Sequence, residues 1–250
     1  MKNLLEHNFI SHYGLTTSVV VNVISTTDVD FDLKDDAVLV YPSGAGIAKY
    51  RNSNGKQVNI INYECFINSL PTTFQEGREK CDLIVYSSDL SHFILNELTD
   101  TQPKYILDFT QTDGTPRVGK RNKAISQLKQ TLQDISSVTD IDSFIKQHNI
   151  KHCCFFNAQT HAPIGINAIQ AFGRLSSVAP NGYKILNPDI ESFGFELWEF
   201  SGTQTYLLKL SVKSFAEKLY KLSTKELKEL AEIIQSELSK APTLEFRLLI

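Results

Sequence analysis

The stretch Lys80–Asp100 reads KCDLIVYSSDLSHFILNELTD. Two apolar runs, CDLIVY and HFILNEL, flank the polar turn-forming residues SSDLS, the pattern of two strands joined by a tight turn. Asp82 opens the first run and Glu97 closes the second, so pairing the runs brings both carboxylates to one end of the pair. Their separation, 97 − 82 = 15 positions, fits that geometry. Carboxylate oxygens gathered in this way are what a hard divalent cation such as Mg²⁺ or Mn²⁺ requires. About twenty residues further on, Gly119–Leu132 (GKRNKAISQLKQTL) begins with amines, and Ala124, Ile125, Leu128, Leu132 and Ile135 recur at helical spacing.

Working outward, a short helix is expected around Lys2–His12, and the β-branched run Thr17–Thr26 reads as a buried strand. Ala37–Tyr41 reads as a further strand. In Ile47–Tyr63 the dipeptide Asn54-Gly55 joins two runs and predicts a hairpin, because both residues tolerate positive φ. Lys104–Thr112 reads as another strand, closing an antiparallel meander, and Asp113–Pro116 as a loop. Thr139–Asn149 is a second helix with Thr139 or Asp140 as its cap, and Lys151–Asn157 is a buried strand returning to the sheet. The core order is then helix, three strands, helix, strand.

Ile166–Ser177 reads as a helix. Ser192–Phe200 and Thr205–Ser211 read as a second hairpin turning through Ser201–Gln204, with Phe193, Phe195, Trp198, Phe200 and Tyr206 clustered on it. Leu222–Leu238, opened by the capping pattern Ser223-x-x-Glu226, is an amphipathic helix. The fold expected is α/β, one composite domain with a mixed central sheet flanked by helices: a β-rich part over 1–75 with an N-terminal hairpin, a core over 76–157, and a hairpin with helices over 158–250.

Residues from about Glu76 to Asn157, a third of the chain, resemble the core of the PD-(D/E)XK, or restriction-endonuclease-like, superfamily. That resemblance implies metal ligation by Asp82 and Glu97 and a helix beside them carrying Gln127 and Lys129. It implies hydrolysis of DNA or RNA phosphodiesters with Mg²⁺ or Mn²⁺ in a defence, restriction or mobile-element setting. The family pattern places a lysine two residues after the glutamate, and this chain has Thr99 there. Lys120 and Lys123 are the candidates for the missing charge; a neutral hydroxyl can hydrogen-bond but cannot offset charge on a phosphate. The alternative is a catalytically inactive subunit of the same fold that works by protein–protein binding. The same carboxylates also read as ordinary strand-end residues.

The 25 basic and 28 acidic residues give a formal net charge of −3, so any nucleic-acid contact must be local. A protein partner or a homo-oligomer is expected beside it. No C-x-x-C pair occurs among the four cysteines, three of which fall in apolar runs, which reads as free thiols in a reducing cytoplasm. No apolar stretch approaches the roughly 18 residues of a membrane span, so an intracellular protein is expected. Ser43-Gly44-Ala45-Gly46 reads as a turn rather than a phosphate cradle. His152 beside Cys153 and Cys154 reads as core packing, and His92 and His161 as surface or turn residues. No G-x-S-x-G elbow points to acyl transfer.

Overall fold

The computed structural model describes residues 1–35, 39, 44–160, 182–209 and 232, and the chain divides into two compact units, 1–209 and 210–250. The elements up to Leu207 all belong to the first unit. Its centre is the Lys80–Asp100 pair of strands, β5 (Leu83–Ser87) and β6 (His92–Thr99), joined antiparallel with Leu83 opposite Asn96. On one side β4 (Val58–Asn62) and then β1 (Val23–Thr26) continue the antiparallel pairing; on the other, β9 (Ile150–Asn157) and β11 (Glu196–Ser201) lie parallel to β6, and β10 (Tyr183–Ile185) closes the edge. Going from β6 into a parallel neighbour requires a crossover, which α4 (Lys120–Ser136) and α5 (Thr139–Lys146) supply.

This mixed sheet of seven strands is buried on both faces, which is why its central strands are continuous apolar runs. One face carries Ile84, Phe93, Leu95, Cys153 and Leu197 and packs against Leu128, Leu132 and Ile135 of α4, Ile141 and Ile145 of α5, and Leu5, Phe9 and Ile10 of the N-terminal helical segment, a π-type stretch Leu4–Phe9 running into α1 (Ile10–His12). The opposite face carries Val85, Ile94, Cys154 and Phe156 and is covered by a three-stranded sheet of β12 (Thr205–Leu207), β3 (Ala48–Arg51) and β2 (Asp30–Leu33), through Phe31, Leu33, Tyr50 and Tyr206. Laterally paired residues share a face. One rung of the helical face therefore reads Glu97, Phe155, Glu199, Tyr183 across four strands.

Several expectations are corrected. Ile47–Tyr63 is not a hairpin: β3 joins the small sheet and β4 the large one. Asn54-Gly55 does make the turn, with Gly55 at φ +59° and its N–H donating to the Asn52 carbonyl (2.9 Å), but the turn hands the chain from one layer to the other. The reason is burial: Ala48 and Tyr50 of β3 face the second core, whereas β4 needs cover on both sides. Ser201–Gln204 acts likewise, passing the chain from β11, parallel to β9, to β12, parallel to β3. So neither the N-terminal nor the C-terminal hairpin exists.

Thr17–Thr26 contributes only the edge strand β1, half-exposed over most of its length. Lys104–Thr112 is not a sheet strand either. Pro103–Tyr105 is a 3-10 turn, and Phe109–Thr110 (β7) pairs only with Pro116–Arg117 (β8). Ile106 alone among these residues is buried, so the meander is β4-β5-β6. The cap position of α5 is Val138, without a side-chain hydrogen bond. His92 is buried, its Nδ1 2.8 Å from the Ser91 hydroxyl, rather than at the surface. Cys81, Cys153 and Cys154 are buried free thiols and Cys65 an exposed one. Gly44 and Gly46 turn around the Asp32 carboxylate, which accepts both their N–H groups. The strand expected at Ala37–Tyr41 and the helix at Leu222–Leu238, apart from the single residues Leu39 and Glu232, and the helix at Ile166–Ser177 and His161 lie outside the described residues.

Candidate metal centre

The start of β5 is held in place by α4. Gln127 donates its side-chain amide to the Lys80 carbonyl (3.0 Å), and the Thr131 hydroxyl accepts the Cys81 N–H (2.8 Å). Asp82 then enters the sheet. Its N–H donates to the Asn96 carbonyl (3.0 Å), and its Oδ2 accepts the Leu98 N–H (2.6 Å). Glu97, near the end of β6, is close enough for its carboxyl to feel the charge of Asp82. Both are buried, and Oε2 of Glu97 has no hydrogen-bond partner among the described residues.

Two further carboxylates converge there. The carbonyl of Asp82 accepts the N–H groups of Tyr63 (2.9 Å) and Glu64 (3.1 Å), which fixes the first turn of α2 (Tyr63–Asn68) beside it. Asn62 caps that helix, its Oδ1 accepting the Cys65 N–H (2.7 Å), and its Nδ2 reaches the Asp35 carbonyl (3.4 Å). Asn62 thus ties the Asp35 loop to the start of α2. As a result one carboxylate oxygen each of Asp35, Glu64 and Asp82 lies within 4.8 Å of the other two. Two oxygens on opposite sides of a single cation, each about 2.4 Å from it, are separated by about that distance.

The electrostatics follow from burial and like charge. The Asp82 carboxyl is pushed up to about 7, first by desolvation, with Asp35 and Glu64 adding to the rise and the Leu98 N–H and Lys123 opposing it. Glu97 is raised well above the usual carboxylate range, again chiefly by desolvation and then by Asp82 and Glu64. A buried carboxylate oxygen with no donor is expensive; protonation or a cation relieves it. The donor set is all-oxygen and suits a hard cation such as Mg²⁺ or Mn²⁺.

The amines separate. Lys123, exposed, favours the ionised form of both Asp82 and Glu97. It lies one turn before Gln127, on the helix edge that points at the start of β5. Lys120 lines a groove formed by the loop that precedes α4. Lys129 pairs with Asp189 (2.6 Å) at the surface, on α6 (Pro188–Glu191). Arg121 turns to the other side and forms a buried ion pair with Glu199 (2.7 Å). The first turn of α4 is not an open anion site, because Asp108 Oδ1 accepts both the Gly119 N–H (2.7 Å) and the Asn122 side-chain amide (3.0 Å). Thr99, half-buried, is on the Glu97 face one rung further along β6, opposite Asn157.

Asp35 and Glu64 escaped the sequence reading. The available signal was Asn62 ahead of a short apolar helix, since an Asn cap fixes where the next residues point.

No family model matches this chain, and no curated protein or solved structure is significantly similar to it.

Proposed function

We propose that this chain is a metal-dependent hydrolase of nucleic-acid phosphodiesters. The observation that carries the reading is the unpartnered, buried Oε2 of Glu97, electrostatically coupled to Asp82, Glu64 and Asp35. Asp35, Glu64, Asp82 and Glu97 would hold the cation. When bound, it polarises a phosphoryl oxygen and makes water more acidic. In this reading Glu97, its carboxyl raised well above the usual carboxylate range by burial and then by Asp82, takes the proton of the attacking water at Oε2. Lys123 faces the charge that grows on the phosphoryl oxygens as the P–O bond to the leaving sugar breaks, and the departing sugar oxygen takes a proton from solvent water. The Leu98 N–H holds Asp82 in one rotamer, so the donors are preorganised. The antiparallel pair β5 and β6, followed by α4 and by β9 parallel to β6, supports the reading; the strand that the sequence reading placed at Lys104–Thr112 is not part of that sheet.

Cleavage of single- and double-stranded DNA and RNA with Mg²⁺, Mn²⁺ or chelator tests this, in wild type, Asp82→Asn, Glu97→Gln and Thr99→Lys. Metal-dependent cleavage lost in the first two variants is expected, with a gain in Thr99→Lys, whose amine would project beside Glu97. Chelator-insensitive cleavage, or cleavage unchanged in both carboxyl variants, rejects the site.

A second reading is a silent subunit that keeps the fold and works by protein binding. Thr99 on the Glu97 face, where the resemblance leads one to expect an amine, favours it. Inactivity of wild type together with undiminished metal binding would select it.

A further inference from the structure

The loop between β6 and α4 bounds an open groove of about 890 Å³. Its wall carries two aromatic rings, Tyr105 and Phe109, with centroids 4.8 Å apart and planes tilted by 56°. Three exposed cations surround them. The Lys104 ammonium lies 4.7 Å from the Tyr105 ring centre, Arg117 is paired across β7 and β8 with Phe109, and Lys120 begins α4. None of the three forms an ion pair with a described residue. The one acid among the described lining residues, Asp113, is engaged by the Thr115 N–H (2.9 Å). In a chain of net charge −3 this is a local surplus of positive charge interleaved with aromatic faces.

We infer that this groove binds a single-stranded nucleic acid, bases stacking on Tyr105 and Phe109 and phosphates held by Lys104, Arg117 and Lys120. Unpaired bases offer free π-faces to such rings, whereas a duplex keeps its faces stacked internally. The position agrees. The groove begins at Thr101, four residues beyond Glu97, roughly 13 Å of strand, and ends at Lys120, about 4.5 Å of helix before Lys123. A strand lying in it would run toward the carboxylates. This assignment deepens the nuclease reading and rests on it for the strand's destination, though not for binding itself.

The test is anisotropy of labelled oligothymidine, oligouridine and duplex DNA on the full chain in chelator, where no metal-dependent cleavage occurs. Single strands should bind with a log K against log salt slope near −2, about 0.7 for each of three neutralised phosphates. Each of Lys104→Gln, Arg117→Gln and Lys120→Gln should flatten the slope by about 0.7. Tyr105→Leu and Phe109→Leu should weaken binding about 5- to 150-fold at fixed salt, leaving the slope unchanged, while Tyr105→Trp retains it. The first five replacements are at exposed or half-buried positions, and circular dichroism checks their fold. Duplex bound as tightly as single strands, affinities unmoved by the five variants, or displacement by polyglutamate at equal concentration would overturn the proposal. Single-strand binding without cleavage in Mg²⁺ would uphold the groove and reject the nuclease.

Discussion

Asp82 accepts the backbone N–H of Leu98 through Oδ2 at 2.6 Å, so the first carboxylate of the centre grips the strand that carries the second. A side chain in place of a ladder carbonyl means that the last rung of β5 and β6 depends on Asp82 itself. Asp82→Asn keeps an oxygen acceptor and removes a charge; Asp82→Ala leaves the Leu98 N–H buried and unpaired, which costs roughly 1–3 kcal/mol. Urea unfolding should rank the asparagine variant above the alanine variant by that margin, and equal stabilities would mean that the bond contributes nothing.

The pH dependence of stability has a definite sign. The folded Asp82 carboxyl titrates at about 7, above its ordinary 3.8. Below that ordinary value both states are protonated and Asp82 contributes no difference. Between 3.8 and 7 the unfolded chain has lost a proton that the folded chain keeps, so stability falls as pH rises, and the loss is complete above 7. About three pKa units correspond to roughly 4 kcal/mol as an upper bound. In chelator, wild type should therefore weaken relative to Asp82→Asn between pH 4 and 7.5, and parallel curves would disprove the shift.

Divalent cations should reverse that loss. A ligand that binds only the folded state stabilises it by about 2.7 kcal/mol at one hundred times its Kd. Thermal unfolding at pH 7.5 should shift upward with Mn²⁺ or Mg²⁺ in wild type and not in Asp82→Asn or Glu97→Gln. A midpoint indifferent to both metals would leave the carboxylates without a cation.

Asn62 acts on the centre through the backbone, capping the helix that carries Glu64 and reaching the Asp35 carbonyl, and not by offering an oxygen to the cation. Asn62→Ala removes the α2 cap at a cost of about 1 kcal/mol and frees the Asp35 loop from the helix start, so it should also shrink the Mn²⁺-induced rise in midpoint. Asn62→Asp restores the cap and hence stability. A Mn²⁺ response undiminished in Asn62→Ala would show that Glu64 and Asp35 need no such tie.

Glu199 has no exposure and pairs with Arg121 at 2.7 Å. Removing one partner of such a pair strands the other charge and costs roughly 3–5 kcal/mol, whereas replacing both by apolar residues is often neutral. Arg121→Met and Glu199→Leu should each destabilise the protein strongly and together much less. Additive losses in the double variant would contradict this.

The sequence disclosed what depends on local pattern. The runs around Asp82 and Glu97, the amphipathic helix from Lys120 and the returning strand at Lys151–Asn157 lie where their periodicity placed them, because each carries a long apolar signal. Strand partnership was less accessible. Asn54-Gly55 marks a turn, yet nothing in the dipeptide tells whether its flanks pair with each other or leave for different sheets; the burial of Tyr50 against Phe31, Phe156 and Tyr206 decides that. Tyr105 and Phe109 imitate strand residues at even spacing but line the outer groove. Asp35 and Glu64 were hidden because backbone hydrogen bonds to Asp82, and not spacing, bring α2 beside it.

The rung that crosses the helical face has one more consequence. Phe155 stands between Glu97 and Glu199, two strand spacings or roughly 9.6 Å apart, and is sealed from above by Ala124 and Ile106. The ring divides the row into two compartments by keeping the acids apart, without screening one charge from the other. On one side the acid has its counter-ion built into the protein, and on the other the acids must draw theirs from solution. A polar residue at position 155 would merge the two compartments, and Arg121 would then compete with any external cation for the same acids.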